Sequence, residues 1–169
     1  MGTVTYPNAQ VAEFVSERFV ALKFNVKERH PDFKEALGRG KVLWAPLLVF
    51  LDGRGTELRR YVGFLPPEEF LAELRLVLGQ AEMVHANFEE ALRWFESTAE
   101  DYPRSSAAPE ALFWGAAAGY RLNGLAEVVR RWDDLRARYP ETTWARRADV
   151  VPDEVRAKIE AESAAAEAG

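Results

Sequence analysis

The side chains that could do chemistry in this chain are few, because its 169 residues include no cysteine. Without cysteine there is no thiol nucleophile, no disulfide and no thiolate ligand for a metal. The two histidines are too few to build a metal site, so we expect neither a metal ion nor a cofactor. His30 precedes Pro31 in a turn and should be solvated, whereas His85 is placed for capping at a helix end.

Adjacent carboxylates occur at 68–69, 89–90 and 133–134, each inside a predicted helix. Consecutive helix residues point about 100° apart, so these pairs are poorly placed to act together as general acid and base. We interpret them as parts of solvated helix faces. The sequence therefore identifies no catalytic residue.

Basic residues cluster between residues 130 and 147, where the chain has six arginines. Acidic residues interleave with them, which favours an exposed ion-pair surface over a site for an acidic partner. A formal net charge of −5 argues against a nucleic-acid partner, because phosphate contacts need clustered Lys and Arg without an acidic excess. The six are Arg130, Arg131, Arg136, Arg138, Arg146 and Arg147.

The chain start lacks the basic cluster and apolar core of a signal peptide. Tyr6 occupies the position at which myristoylation prefers Ser or Thr. No apolar stretch approaches the roughly 20 residues that a membrane span needs. We expect a cytoplasmic protein with no membrane partner.

Local patterns predict the elements before residue 44. Asn8 is predicted to cap a helix, because the apolar residues that follow it recur at the helical period. Residues 20–26 alternate between apolar and polar, which predicts a half-buried strand. Residues 31–37 begin with proline and precede Gly38, which predicts about two turns of helix. The apolar residues of the first helix are Val11, Phe14, Val15 and Phe19.

A hairpin and a helix are predicted next. Leu47–Leu51 is continuously apolar, as in a strand buried on both faces, and Asp–Gly at 52–53 is a hairpin signal. In the second strand, Glu57–Val62, two successive arginines are typical of a sheet edge. Gly63 ends that strand, and prolines with glutamates at 66–69 favour a helix start. The predicted buried stripe, which packs on the sheet, is Phe70, Leu71, Leu74, Val77 and Leu78.

The proline that enters this hairpin, Pro46, and the order of elements around it resemble the thioredoxin fold over about residues 5–78. The resemblance implies an α/β domain that lacks its first strand and the start of its active-site helix. In the family the missing strand lies between those predicted at 20–26 and 47–51, and a Cys-x-x-Cys pair follows it. Residues 5–8 resemble the segment after the cysteine-bearing helix in bacterial members. The alternatives are a misassigned start codon, a truncation and a genuine cysteine-free relative.

Loss of a central strand removes several buried side chains at about 1.5–3 kcal/mol each, comparable with the net stability of a small domain. Three arrangements would restore some of this free energy. The flanking strands could pair directly, residues 2–6 could supply a strand, or a homodimer could cover the incomplete sheet. The sequence does not choose among them.

The second half of the chain is predicted to be helical and repeats itself. The Tyr–Pro pair at 102–103 recurs at 139–140, an offset of 140 − 103 = 37, with Phe95 matched by Trp132. This layout resembles tetratricopeptide helical hairpins, whose period is about 34. We therefore divide the chain into an incomplete thioredoxin-like domain at 1–79, tetratricopeptide-like hairpins at 80–150 and a helical or disordered tail at 151–169, with a shared helix at 66–86.

Two surfaces are candidates for binding a protein or peptide. The resemblance implies that Trp44, Ala45 and Pro46 form a groove in which a cis proline presents its neighbour's backbone to an extended peptide. A turn retained for structure is the alternative, and we favour it because no cysteine faces the proline. The small residues 115–119 allow close helix approach, for which ordinary helix packing is favoured over a peptide groove.

Two functions therefore remain. The first is a non-catalytic protein that acts in protein–protein interaction or scaffolding, with a protein or peptide partner. The second is a truncated thiol–disulfide oxidoreductase of cell redox homeostasis, whose Cys-x-x-Cys lies upstream of Met1. We expect no enzymatic activity from the chain as it stands.

Overall fold

A computed structural model describes residues 1–25, 27, 28, 30, 32, 42 and 44–167, with the backbone alone at 160 and 163–167. It divides the chain into two compact units, Met1–Val77 and Leu78–Gly169. The helix predicted at 31–37 lies outside the described residues.

The first unit begins with the capped helix that the sequence predicts. Helix α1 spans Ala9–Arg18, and the side-chain oxygen of Asn8 accepts a hydrogen bond from the backbone N–H of Val11 at 3.2 Å. Val11 is buried. An N-cap of this kind satisfies a backbone donor that the first helical turn leaves without a partner.

The residues before α1 form turns and are not a strand. Thr5 is fully buried among them, and its hydroxyl donates to the carbonyl oxygen of Leu65 at 2.5 Å. A strand drawn from residues 2–6 is therefore wrong as a replacement for a missing central strand, because this segment is committed to another contact.

The hairpin has the predicted bounds. Strand β1 spans Leu47–Leu51 and pairs antiparallel with β2, Glu57–Val62. The connecting loop is longer than a two-residue turn: the Asp52 carboxylate accepts hydrogen bonds from the backbone N–H groups of Arg54 at 2.9 Å and Thr56 at 2.8 Å. The positive φ, +81°, falls at Gly55, where the absence of a Cβ removes the steric cost.

Two expectations for this sheet are wrong. Residues of β1 are half-buried, and Leu51 is exposed, so the strand is not covered on both faces. Residues 19–25 form no strand, and in the described chain the sheet contains β1 and β2 alone. The alternation at 20–26 fixes only where side chains would point, whereas a strand also needs a neighbour to accept its backbone hydrogen bonds. Direct pairing of the flanking strands is thus not observed among the described residues.

Helix α2 spans Pro67–Val84. Of the predicted stripe, Phe70, Leu71, Leu74 and Val77 are buried and Leu78 is half-buried. Ala72, Leu76 and the carboxylate-bearing Glu73 are also buried. The helix therefore buries a wider face than the apolar period alone indicates.

Five more helices follow α2 in the described chain. Helix α3 packs against α4, and α4 packs against α5. Their bounds are α3 Phe88–Asp101, α4 Ala107–Asn123, α5 Leu125–Arg138, α6 Thr143–Ala148 and α7 Asp153–Glu167.

The sequence repeat is also a structural repeat. Helices α3 and α5 begin 125 − 88 = 37 residues apart and end 138 − 101 = 37 residues apart. Each ends at a tyrosine with nearly the same backbone angles, φ −126° and ψ 53° at Tyr102, φ −134° and ψ 52° at Tyr139. The Tyr139 hydroxyl donates to the carbonyl oxygen of Pro103 at 2.7 Å, which ties the two helix ends together.

Equivalent positions pack in equivalent ways. Phe95 is fully buried, and a Cβ built on Gly79 would lie 2.5 Å from its ring. One repeat later, Trp132 packs against a buried cluster that includes Ala116. The aromatic residues at these two equivalent positions thus both pack within the helical half.

Candidate functional site

The predicted binding residues lie immediately before β1. Trp44 is 71% exposed, Ala45 is exposed and Pro46 is half-buried. The Ala45–Pro46 peptide bond is cis. The indole of Trp44 is therefore a large apolar surface in contact with solvent.

A backbone hydrogen bond holds Pro46 in place. Its carbonyl oxygen accepts from the N–H of Gly63, at 2.9 Å, just past the end of β2. Gly63 has φ +115°, a conformation that side-chain-bearing residues rarely adopt. Gly63 thus positions Pro46, and Pro46 in turn positions the exposed residues Trp44 and Ala45 that precede it.

Other apolar side chains are exposed at this end of the hairpin. Val62 is the last residue of β2, and Phe64 follows Gly63; each exposes about half of its surface. Sequence reasoning did not include Phe64 in the site. The signal that could have found it is an aromatic residue between Gly63 and the helix start, outside both the strand and helix periods.

The two arginines of β2 are engaged by carboxylates. Arg59 contacts the buried Glu73 through two hydrogen bonds, Nε to Oε2 at 2.6 Å and Nη2 to Oε1 at 3.2 Å. Arg60 bonds Glu57 in the same two-pronged way, at 2.8 and 2.5 Å. The hydrogen bond from Arg60 lowers the pKa of Glu57 below its usual range. Neither guanidinium is therefore available as a separate cationic contact without breaking an ion pair.

The remaining titratable candidates do not assemble a reactive centre. His30 is exposed in its turn, where its Nδ1 accepts from the N–H of Asp32 at 3.2 Å, and His85 is exposed at the end of α2. Across the described residues, no three metal-ligating side chains come together. Because the sequence also lacks cysteine, the geometry offers neither thiol chemistry nor a metal centre within the described part of the chain.

The predicted ion-pair surface in the second half is present. Arg130 and Arg131 both donate hydrogen bonds to the carboxylate of Glu127. Arg131 also donates one to the carboxylate of Glu96, at 2.7 Å. Hydrogen bonds from Arg130 and Arg131 lower the pKa of Glu127. The chain further pairs Arg136 with Asp133 and Asp149, and Arg138 with Asp134.

The last two arginines of this group differ from the other four. Arg146 donates to the carbonyl oxygen of Glu141 and to the hydroxyl of Thr143. Arg147 lies over the ring of Trp144, 4.5 Å from its centroid. These contacts engage both side chains locally but involve no carboxylate, so the ion-pair surface is formed by the first four arginines of the group.

The small residues of α4 are used in helix packing. A Cβ built on Gly115 would lie 3.3 Å from Phe95, and one on Gly119 would lie 2.9 Å from the Nε of Arg131. The close approach that they permit is therefore already occupied by neighbouring helices. This supports the packing interpretation over a peptide groove at 115–119.

Comparison with known families separates the two halves of the chain. Residues 3–78 match the family model of the thioredoxin-like domain. This part of the chain is therefore similar to thioredoxin-like domains. The match supports the fold expected around the hairpin and does not extend to the helical repeat of the second half. No curated protein and no solved structure matches the chain.

No helix among the described residues has both the length and the apolar character needed to cross a membrane.

The candidate site is an exposed apolar surface around Trp44, held by the Pro46–Gly63 hydrogen bond, on a thioredoxin-like domain without thiols. Such a surface can bind side chains and backbone by contact.

Proposed function

We propose that this chain is a non-catalytic protein that binds protein or peptide partners, with a thiol-free thioredoxin-like domain and tetratricopeptide-like helical hairpins. The observation that carries the proposal is the exposed indole of Trp44 beside Pro46 in a chain without cysteine. Tryptophan dominates many interfaces because it buries much apolar area at little entropic cost.

The size of the exposed ring sets the scale of the contact. With 71% of Trp44 exposed, its complete burial would remove somewhat under 200 Å² of apolar surface, worth about 4 kcal/mol before the costs of association. An extended peptide would lie across Trp44 and Ala45, with Val62 and Phe64 as further apolar contacts. The compensated arginines of β2 make an apolar segment a better partner than an acidic one.

The helical half contributes a second argument for a binding role. A 37-residue repeat of paired helices, with an aromatic ring packed at the equivalent position of both halves, supports the proposal of tetratricopeptide-like hairpins. Arrays of this kind present extended surfaces to protein partners. We therefore assign the helical half to scaffolding.

Two measurements on the full chain test the proposal. A thiol-dependent disulfide reduction assay should show no activity above buffer, since no residue can form the mixed disulfide. A displayed library of extended peptides should yield binders that Trp44→Ala weakens by roughly tenfold or more. Tyr120→Ala is the matched control, because that aromatic residue is also exposed but lies in the other unit. Measurable reductase activity, or peptide binding that Trp44→Ala leaves unchanged, would refute the assignment.

The second candidate function is thiol–disulfide exchange, which the thioredoxin-like match favours. It needs a cysteine pair that these 169 residues do not contain. The in-frame DNA 5′ of the Met1 codon tests it. A strand followed by Cys-x-x-Cys encoded there would replace the non-catalytic proposal with a redox one.

A further inference from the structure

Large apolar side chains are exposed mainly in the first unit. Eight of the twelve that are exposed in the described chain belong to Met1–Val77. Four of these eight are in β1, β2 or the segment 19–25: Val20, Leu22, Leu51 and Val62. Among the described residues, these four positions of the hairpin and the segment 19–25 thus leave apolar surface exposed.

The segment 19–25 and β1 each have the features of a strand that needs a neighbour. In the described chain, β1 pairs with β2 alone, which leaves its other edge without a strand. Val20 and Leu22, on one face of the alternating segment, are 93% and 75% exposed. A two-stranded sheet is marginal in water, and an apolar edge strand is a template for pairing with another chain.

We propose that two copies of this chain form a homodimer in which the segment 19–25 of each copy pairs with the free edge of β1 in the other. The inference does not rest on the peptide-binding function proposed above. It commits to a second copy because one chain carries both halves of the pairing, a strand-like segment and a free edge. A two-fold axis forms both pairings at once and closes the assembly.

The position of the segment agrees with this arrangement. The ring of Phe19 lies 6.4 Å from the ring of Phe50, so the segment leaves α1 beside β1. Phe19 itself has extended backbone angles, φ −133° and ψ 149°. Adding the segment as a strand requires no rearrangement of α1.

The exposed apolar side chains supply part of the area that a stable dimer needs. Complete burial of a Val or Leu side chain is worth about 1.5–3 kcal/mol, which corresponds to roughly 60–120 Å², so the exposed fractions of Val20, Leu22 and Leu51 amount to about 130–260 Å² per copy. Two copies supply about 260–520 Å², and stable interfaces begin near 1,200 Å². The backbone and the remaining side chains of the paired edges have to supply the rest.

Sedimentation or light scattering across a wide range of concentration measures the oligomeric state of the full chain. We expect a dimer, and Leu22→Lys should weaken it by roughly tenfold or more, because each dimer loses two buried leucines. Leu22 is exposed within one copy, so the lysine leaves the fold of that copy intact. Tyr120→Lys, in the second unit, is the matched control and should not change the association.

Single introduced thiols identify the pairing, because the native chain has no cysteine. A mixture of Leu22→Cys and Val49→Cys chains should form an interchain disulfide between the two variants on mild oxidation. A mixture of Tyr120→Cys and Val49→Cys should not. A monomer at every concentration overturns the proposal, as does a dimer insensitive to Leu22→Lys. A Leu22→Cys/Val49→Cys chain that cross-links only within itself also overturns it, since the segment then pairs with its own β1.

Discussion

Gly79→Ala tests the packing of the helical repeat at its tightest point. A Cβ at Gly79 would lie 2.5, 2.7 and 2.9 Å from three carbons of the Phe95 ring, whereas ordinary contacts begin near 3.4 Å. The ring would have to move by 3.4 − 2.5 = 0.9 Å. Phe95 is fully buried, so its ring has little room to move.

The magnitude follows from two opposed effects. Overpacking a well-packed interior costs about 1–3 kcal/mol, and a clash this close falls at the upper end. Replacing glycine by alanine inside a helix returns about 1 kcal/mol through helix propensity. The net expectation is a loss of about 2 kcal/mol in the free energy of unfolding, measured by urea titration of the circular dichroism signal.

In a Phe95→Leu background, the effect of Gly79→Ala on the free energy of unfolding should have the opposite sign. Phe95→Leu removes the three ring carbons that lie closest to the added methyl group, and Gly79→Ala should then stabilise the chain by about 1 kcal/mol. The coupling between the two sites is therefore about 3 kcal/mol in a double-mutant cycle. Gly53→Ala, in the hairpin loop with no atom near its Cβ position, should change stability by less than about 0.5 kcal/mol. Equal effects of Gly79→Ala in both backgrounds would refute this account of the packing.

Two further predictions concern carboxylates. Glu73→Gln should cost about 3 kcal/mol of unfolding free energy, because it removes the buried carboxylate charge that pairs with the Arg59 guanidinium, a side chain that is only 19% exposed. Glu57→Gln, at a more exposed pair, should cost under about 1 kcal/mol, and similar losses for the two would contradict the assignment. Hydrogen bonds from Arg130 and Arg131 lower the pKa of Glu127, so its contribution is present above about pH 4.3 and is lost as the pH falls through the lowered pKa. The stability difference between wild type and Glu127→Gln should therefore shrink in acid, and a difference that grows in acid would have the wrong sign.

The hairpin could be predicted because its signals are local. The apolar run at Leu47–Leu51, the Asp–Gly turn and the glycine at 63 each act within a few residues. The segment 20–26 shows the opposite case: its alternation is just as clear, but a strand forms only where a second backbone lies beside it. That neighbour is a property of the fold, which the segment does not encode.

The burial of a charged residue within a helix was also not predicted from the sequence. Glu73 is not part of the predicted apolar stripe of α2, and it is nevertheless 2% exposed. Its burial depends on Arg59, fourteen residues earlier in the preceding element, β2. A pairing of this kind stabilises the charge only when both side chains meet, so a periodicity argument on one helix could not detect it.

Both proposals use apolar surface of the first unit, but different parts of it, and this makes them separable. Trp44 and Phe64 lie by the Pro46–Gly63 hydrogen bond, where β1 begins and β2 ends. Leu22 belongs to the segment that passes Phe50, near the other end of β1. Trp44→Ala should therefore weaken peptide binding and leave the dimer intact, because its ring takes no part in the strand pairing. Leu22→Lys should dissociate the dimer and leave peptide affinity per chain unchanged. Loss of both properties in either variant would mean that one surface serves a single partner.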